Sequence, residues 1–178
     1  MSRILVPDAG PLFSLAAGDL LGLLARFRVG ITDMVREETI DRGRLPSASL
    51  EAQRLRAFYQ DNKASIEIFP TQVGATIKAL RGTNPNYQTP KNLGELSIQS
   101  LLIDLQLKAE GTVPVVLFED AWFLHHAAGL AKPCILLSTQ AFLEYAQSKT
   151  WIASAAQARD NIAQRRPTAY AASATLRT

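Results

Sequence analysis

The chain has 178 residues, of which 47% are hydrophobic and 20% charged, and these proportions exclude an intrinsically disordered protein. Its length is that of one domain with a substantial core, and its net charge of +3 permits nucleic-acid binding without arguing for it. The single cysteine, Cys134, excludes an internal disulfide, and no apolar run is long enough for a signal sequence or a transmembrane helix, so we expect a cytoplasmic protein.

Short apolar runs rich in β-branched residues alternate with segments of helical periodicity. Strands of this kind, separated by helices, are typical of a parallel sheet that is covered on both faces. The pattern therefore predicts a three-layer α/β/α sandwich with a central, mainly parallel sheet of about five strands and right-handed crossovers. The predicted strands are Ile4–Val6, Val29–Thr32, Ile66–Phe69, Val113–Phe118 and Cys134–Leu137.

The segments between the strands predict helices with recognisable ends. The stretch Gly82–Lys91, with its prolines and asparagines, predicts a loop, and Gly111 is a plausible residue just beyond a helix end. The candidate N-caps are Asp19 before 20–25, Thr32 or Asp33 before 34–42, Ser47 or Ser49 before a helix to about 62, and Asn92 before a helix to 110.

The composition becomes rich in Ala, Gln and Arg after Ser148. This segment predicts a helix over 151–164 that ends at Pro167, followed by a frayed tail. We therefore divide the chain into a domain over 1–148 and a C-terminal helical extension and tail over 149–178.

Three carboxylates that are far apart in the sequence are predicted to meet at one edge of the sheet. Asp8 follows the first predicted strand, and Asp120, with Glu119 beside it, follows the fourth. Glu95 lies in the first turn of the helix that leads into the fourth strand, so it begins at the same edge. In open α/β sheets this carboxyl edge is where ligands bind.

Carboxylates brought together repel one another unless a cation compensates them. Oxygen-only ligands suit hard ions such as Mg²⁺ or Mn²⁺, and a site of that kind can act on a phosphodiester. Each residue also has a structural alternative: Asp8 as a turn or cap residue, Glu95 as part of a capping box with Asn92, and Asp120 as an N-cap for 121–131.

Three segments resemble the PIN-domain family in their order and spacing. They are Leu5-Val6-Pro7-Asp8-Ala9-Gly10-Pro11-Leu12, the helix Leu93-Gly94-Glu95-Leu96-Ser97-Ile98-Gln99-Ser100-Leu101, and Val115–Asp120 followed by His125-His126-Ala127-Ala128-Gly129-Leu130. The second is similar to the GE-x-x-x-I-x-L helix of a branch that includes toxins of toxin–antitoxin pairs. The resemblance spans about residues 4–145.

The resemblance implies a Mg²⁺- or Mn²⁺-dependent RNA endonuclease in which Asp8, Glu95 and Asp120 bind the metal. A further family acid is expected after the second strand; we prefer Glu38, three residues after Val35 on one helix face, and keep Glu37 as an alternative.

Further positions near the predicted site are open to two interpretations. Glu119 and Thr139 are additional site candidates, although Ser138-Thr139 is better explained as an N-cap for 140–147. His125 and His126 stand where relatives often carry basic residues; they could touch RNA, but we interpret them as ordinary helix residues without a metal-ligand partner.

The family also implies partners: an RNA substrate, a homodimer and, for a toxin, a cognate antitoxin that blocks the acidic cleft with a basic side chain. We place antitoxin contacts near Leu20–Phe27 and Arg54–Tyr59. The alternative function is a non-catalytic PIN-like interaction or scaffold protein. No Walker loop, glycine-rich dinucleotide turn or nucleophile elbow supports a different enzyme class.

Overall fold

A central parallel sheet organises the computed structural model, which describes residues 2–84, 86–108, 111–167 and 169. All neighbouring strands are parallel, in the order β3-β2-β1-β4-β5, and helices flank the sheet, so the predicted α/β class is confirmed. The strands are β1 (Ser2–Pro7), β2 (Val29–Thr32), β3 (Ile66–Phe69), β4 (Thr112–Phe118) and β5 (Ile135–Ser138).

Eight α-helices connect or follow these strands within the described residues. Side chains of Thr32, Ser49, Thr71, Ser138 and Ser154 accept hydrogen bonds from backbone N–H groups in the first turns of α2, α3, α4, α7 and α8. The helices are α1 (Ala9–Ala17), α2 (Asp33–Arg36), α3 (Leu50–Asp61), α4 (Gln72–Thr83), α5 (Leu93–Lys108), α6 (Trp122–His125), α7 (Thr139–Ser148) and α8 (Ala155–Arg165).

The core lies where the helices cover the central strands β1 and β4. Val6 of β1 and Val116 and Leu117 of β4 are fully buried, as are Phe123 and Phe142 from the helices. The C-terminal extension belongs to the same core, because Ala158 and Ile162 of α8 pack in it. Helix α8 contacts both α1 and α7.

Several predicted helix ends are wrong. Asp19 does not cap a helix: it has a positive φ of 61°, and a 3₁₀ segment, Leu21–Arg26, follows from Leu20. The helix predicted over 34–42 is divided into α2, a π-helical turn (Glu37–Asp41) and a 3₁₀ turn (Arg42–Arg44). Helix α4 continues to Thr83, into the predicted loop.

The predictions for the later helices also need correction. The helix predicted over 121–131 is only α6 followed by a 3₁₀ turn (Ala127–Gly129), and α8 begins at Ala155 rather than at 151. Asn92 precedes α5 and Gly111 has φ +64°, while residues 109 and 110 lie outside the described residues, as does the tail beyond 167 apart from Ala169. Of the helices formed by described residues, none combines the length and apolarity needed to cross a bilayer.

Candidate metal centre

The carboxyl ends of β1 and β4 are adjacent, which places Asp8 and Asp120 at the same edge of the sheet. The two strands pair in parallel, with Pro7 opposite Leu117. The backbone N–H of Asp8 continues this pairing by donating to Leu117 O at 2.9 Å. Asp8 and Asp120 therefore both follow strands at the carboxyl edge of the sheet, where the strand pattern predicted a ligand site.

Asp8 is a buried carboxylate, with only 5% of its surface exposed. It stands at the N-cap position of α1, yet its side chain makes no capping hydrogen bond, and its Oδ1 atom has no hydrogen-bond partner among the described residues. Burial raises the pKa of Asp8 to about 7, with further increases from Glu95, Glu38 and Asp120, and the N–H of Ala9 only partly offsets them. A capping role thus does not account for this side chain.

Glu38 comes to the same place from the π-helical turn. Thr39 Oγ1 donates to Val35 O at 2.6 Å within this turn, and π-turns often occur at functional sites. Burial and then Glu95 raise the pKa of Glu38, while Arg42 and the N–H of Gly94 lower it. Its neighbour Glu37, the alternative candidate, points away and forms a 2.7 Å ion pair with Arg81.

Glu95 lies in the first turn of α5, as predicted, and is half-buried. Burial raises its pKa and Asp120 adds to that increase, against the effect of a hydrogen bond from its own backbone N–H. Asp8 therefore lies within electrostatic reach of Glu38, Glu95 and Asp120, and Glu95 within reach of both Glu38 and Asp120.

Gly94 provides the space into which two of these carboxylates fit. A β-carbon at this position would stand 3.1 Å from Glu38 Oε2 and 3.2 Å from Asp8 Oδ1. These distances are shorter than ordinary contacts, so any larger residue would push the carboxylates apart. Gly94 belongs to the motif that resembles the PIN family, but its role in making room for the carboxylates was not predicted from the sequence.

A buried pair of hydroxyl groups fixes the start of α5 against the start of α2. Thr32 Oγ1 lies 2.6 Å from Ser97 Oγ, and Ser97 Oγ donates to Gly94 O at 2.7 Å. Thr32 Oγ1 also accepts from the N–H of Val35 at 3.3 Å. The pair therefore connects α2, which precedes Glu38, with α5, which carries Glu95.

Asp120 is the most exposed of the four acids, and it has a structural role as well. Its Oδ1 accepts a 2.7 Å hydrogen bond from the N–H of Trp122, the first residue of α6, although the N-cap position of this helix is Ala121 and not Asp120 as predicted. Its second carboxylate oxygen is not used in that bond. Its charge still raises the pKa of both Asp8 and Glu95.

Glu119 and Thr139 have other partners. Glu119 Oε2 accepts from Arg166 at 2.9 Å, and the same guanidinium nitrogen donates to Gly10 O at 2.8 Å and Ser14 Oγ at 2.5 Å. Thr139 is buried and its hydroxyl points to Phe118 O at 3.5 Å. Arg166 is a residue that the sequence analysis missed, because basic residues in a tail usually face solvent.

The acids fit a hard cation by their chemistry. Four carboxylates, of which Glu38 alone is shown to be partly compensated by a cation, Arg42, and of which Asp8 is buried with an oxygen unpaired among the described residues, form a place where a divalent ion would relieve repulsion. As the side chains are placed, no three His, Cys, Asp or Glu groups within the described residues are close enough to enclose one ion. Holding an ion therefore requires rotation of the half-buried glutamates or of Asp120 toward Asp8.

Comparison with other proteins gives no relatives: no family model, curated protein or solved structure matches the chain.

Proposed function

We propose that this chain is a divalent-metal-dependent RNA endonuclease of PIN-domain type that hydrolyses phosphodiester bonds. The observation that carries the proposal is the Oδ1 atom of Asp8, which is buried, lies near other carboxylates and has no hydrogen-bond partner in the part of the chain that the structure describes. A folded protein seldom tolerates an unpaired buried carboxylate unless the site has a function. A cation is the partner that such an oxygen lacks.

In this proposal Asp8, Glu95 and Asp120 hold Mg²⁺ or Mn²⁺, and Glu38 completes the acidic set. When bound, such an ion supplies Lewis-acid polarisation of a phosphodiester and activation of a water nucleophile. The chain's own contribution is to fix the carboxylates. Asp8 is held between β1 and α1, and Gly94 keeps the space beside it and Glu38 open.

The remaining parts of the proposal concern partners and cellular location. We propose that the protein acts in the cytoplasm as the toxin of a toxin–antitoxin pair, and that it forms a homodimer. A cognate antitoxin would cover the acidic edge with a basic side chain, since the same unpaired carboxylate charge that attracts a cation attracts a guanidinium. A short open reading frame that overlaps the gene for this chain would support this biology.

The alternative is a non-catalytic PIN-like scaffold. It would share the sheet and the helices but would have no need for unpaired acids with raised pKa values. The raised pKa values of Asp8, Glu38 and Glu95 favour the enzyme.

The test is cleavage of RNA by purified protein with Mg²⁺ or Mn²⁺ and with chelator. We expect cleavage only with the ion, and a loss of at least about a hundredfold in Asp8→Asn and Glu95→Gln. The matched control is Asp104→Asn, a carboxylate on the same helix as Glu95 for which no ion pair is found among the described residues. Cleavage that persists in Asp8→Asn, or no cleavage by the unmodified chain, would reject the proposal.

A further inference from the structure

A stacked aromatic pair, the half-buried Trp122 and the exposed His126, lies beside the acidic edge. The two rings stack with centroids 4.2 Å apart and planes inclined by only 19°. The His126 Nδ1 atom lies 2.8 Å from Trp122 O, so the imidazole is held in place as well as stacked. His126 is exposed, and Nε2 has no hydrogen-bond partner among the described residues. The imidazole is thus accessible to solvent while it is stacked on the indole.

Buried aromatic residues support the pair from behind. Trp122 packs edge-on against Phe123, with centroids 5.1 Å apart and an angle of 79° between the planes. Phe123 is fully buried, and its ring centroid lies 5.9 Å from that of Phe118, the last residue of β4. Because these contacts anchor the indole in the core, the stacked imidazole is a rigid platform rather than a loose surface side chain.

The platform is connected directly to the candidate metal centre. The backbone N–H of Trp122 donates to Asp120 Oδ1 at 2.7 Å. The position of the Trp122 backbone and that of the Asp120 carboxylate therefore depend on each other. If a phosphodiester group of an RNA strand binds at the acids of the candidate metal centre, a neighbouring nucleotide of that strand would lie beside Trp122 and His126. Planar side chains next to a backbone-binding site are how proteins commonly hold unpaired bases.

We propose that Trp122 and His126 form a stacking subsite for one unpaired nucleobase of the RNA. This inference rests on the proposed nuclease function and adds a binding site to it. The base stacks on the open face of His126, with Trp122 supporting the imidazole from the other side. A base inside a duplex cannot reach this position, because its faces are covered by its neighbours.

The alternative role for the pair is purely structural: the stacked rings would stabilise the short helix α6 and bind no ligand. The two roles differ in what a substitution changes. A local role affects stability, whereas a subsite affects affinity for single strands and leaves other ligands unaffected. His125 provides the matched control, since it is adjacent and exposed, and no ring contact or hydrogen bond of its side chain is found among the described residues.

The experiment measures binding of a fluorescein-labelled oligouridylate of about a dozen nucleotides, in Ca²⁺, by anisotropy, and binding of the same strand in a duplex. We expect His126→Ala to weaken single-strand binding roughly 5- to 100-fold, with no comparable change for the duplex. His126→Tyr should keep the affinity because it retains a ring, and His125→Ala should leave it unchanged. In Trp151→Phe, where Trp122 is the remaining tryptophan, we expect the oligonucleotide to quench the fluorescence, and absence of quenching would count against the subsite.

Each outcome decides the inference. Unchanged single-strand affinity in His126→Ala, or equal loss for single strand and duplex, would overturn it, even if the chain cleaves RNA. Tight ring-dependent binding without any cleavage would support the subsite and reject the nuclease. If His126→Ala fails to fold, RNAs with one abasic nucleotide are titrated against the unmodified chain, and an affinity that no abasic position lowers would overturn the inference.

Discussion

Arg166 donates a hydrogen bond of 2.9 Å to Glu119 Oε2 across 47 residues of sequence. Because the same nitrogen also reaches Gly10 O and Ser14 Oγ, one guanidinium connects the end of β4, helix α1 and the C-terminal extension. Arg165 adds a 2.8 Å hydrogen bond to Ala17 O at the other end of α1. The extension thus fastens the two segments on which Asp8 and Asp120 stand.

Replacing Arg166 by Gln should destabilise the protein. The Glu119 side chain is only 9% exposed, and loss of its cation leaves a buried charge without compensation. We expect the free energy of unfolding in urea to fall by about 2 to 4 kcal/mol. Arg159→Gln, on α8, is the control, since no ion pair of Arg159 is found among the described residues. Equal stability of the two variants would show that the ion pair contributes little, whereas Glu119→Gln should restore part of the loss.

Replacing Gly94 by Ala should lower activity while the protein stays folded. The added methyl group would stand 3.1 Å from Glu38 Oε2 and 3.2 Å from Asp8 Oδ1, so both carboxylates must shift by a few tenths of an ångström. In the proposed nuclease we expect RNA cleavage to fall by about tenfold or more, since reactions depend steeply on the placement of the groups that carry them.

Stability should respond differently from activity in this variant, because alanine favours a helix over glycine by up to about 1 kcal/mol. The control is Gly82→Ala in α4, where a β-carbon would meet nothing within 4 Å. Both variants should melt near the temperature of the unmodified chain. Full activity in Gly94→Ala would contradict the role assigned to this position.

The hydroxyl pair Thr32–Ser97 should show energetic coupling. Ser97 is fully buried, and Ser97→Ala leaves Gly94 O and Thr32 Oγ1 with one partner fewer, at a cost of about 1 to 3 kcal/mol. A double-mutant cycle with Thr32→Val should give a coupling energy above about 0.5 kcal/mol. Ser100→Ala, on the same helix, is the control. Strictly additive effects of the two substitutions would mean that the 2.6 Å contact is not a significant link.

The ion-free protein should lose stability as the pH rises toward neutrality. The pKa of Asp8 is about 7 in the folded chain against an ordinary 3.8. Between these values the folded state binds more protons than the unfolded state, so the free energy of unfolding falls as the pH rises. The stability is fully present below about pH 4 and is lost through pH 7. Glu38 and Glu95 shift in the same direction.

Urea denaturation in chelator at about pH 5 and about pH 8 measures this effect, for which the Asp8 shift sets an upper limit of about 4 kcal/mol. Asp8→Asn should remove most of the difference and leave the variant more stable than the unmodified chain at the higher pH. Asp104→Asn should retain the full difference. The same slope in Asp8→Asn and the unmodified chain would show that Asp8 is not the group responsible.

The strand pattern predicted much of the fold because apolar β-branched runs depend little on distant residues. Strands β2 and β3 have the predicted bounds, and the positions of Asp8 and Asp120 follow from the parallel direction of β1 and β4. Helix α4 was not predicted. Its cap residue, Thr71, is held by a 2.8 Å hydrogen bond to Asp33, a contact that no local pattern indicates.

The features of the site that were not predicted from the sequence are those that depend on tertiary contacts. The spacing from Val35 favoured Glu38 over Glu37, but the π-turn around Glu38 requires an extra residue in a helix, which the spacing did not indicate. The space at Gly94 exists only because two side chains from other segments occupy it. Arg166 meets Glu119 only after the extension packs on α1.

The strand order has a consequence for how the chain is made. β1 lies between β2 and β4, and Ser2 is paired with Thr112. During synthesis β1 therefore cannot pair with β4 until about 110 further residues have left the ribosome. Until then a nascent chain has Asp8 and Glu38 but lacks the strand that brings Asp120. The acidic edge is therefore completed late in translation, because a nascent chain that has not yet formed β4 lacks the segment that carries Asp120.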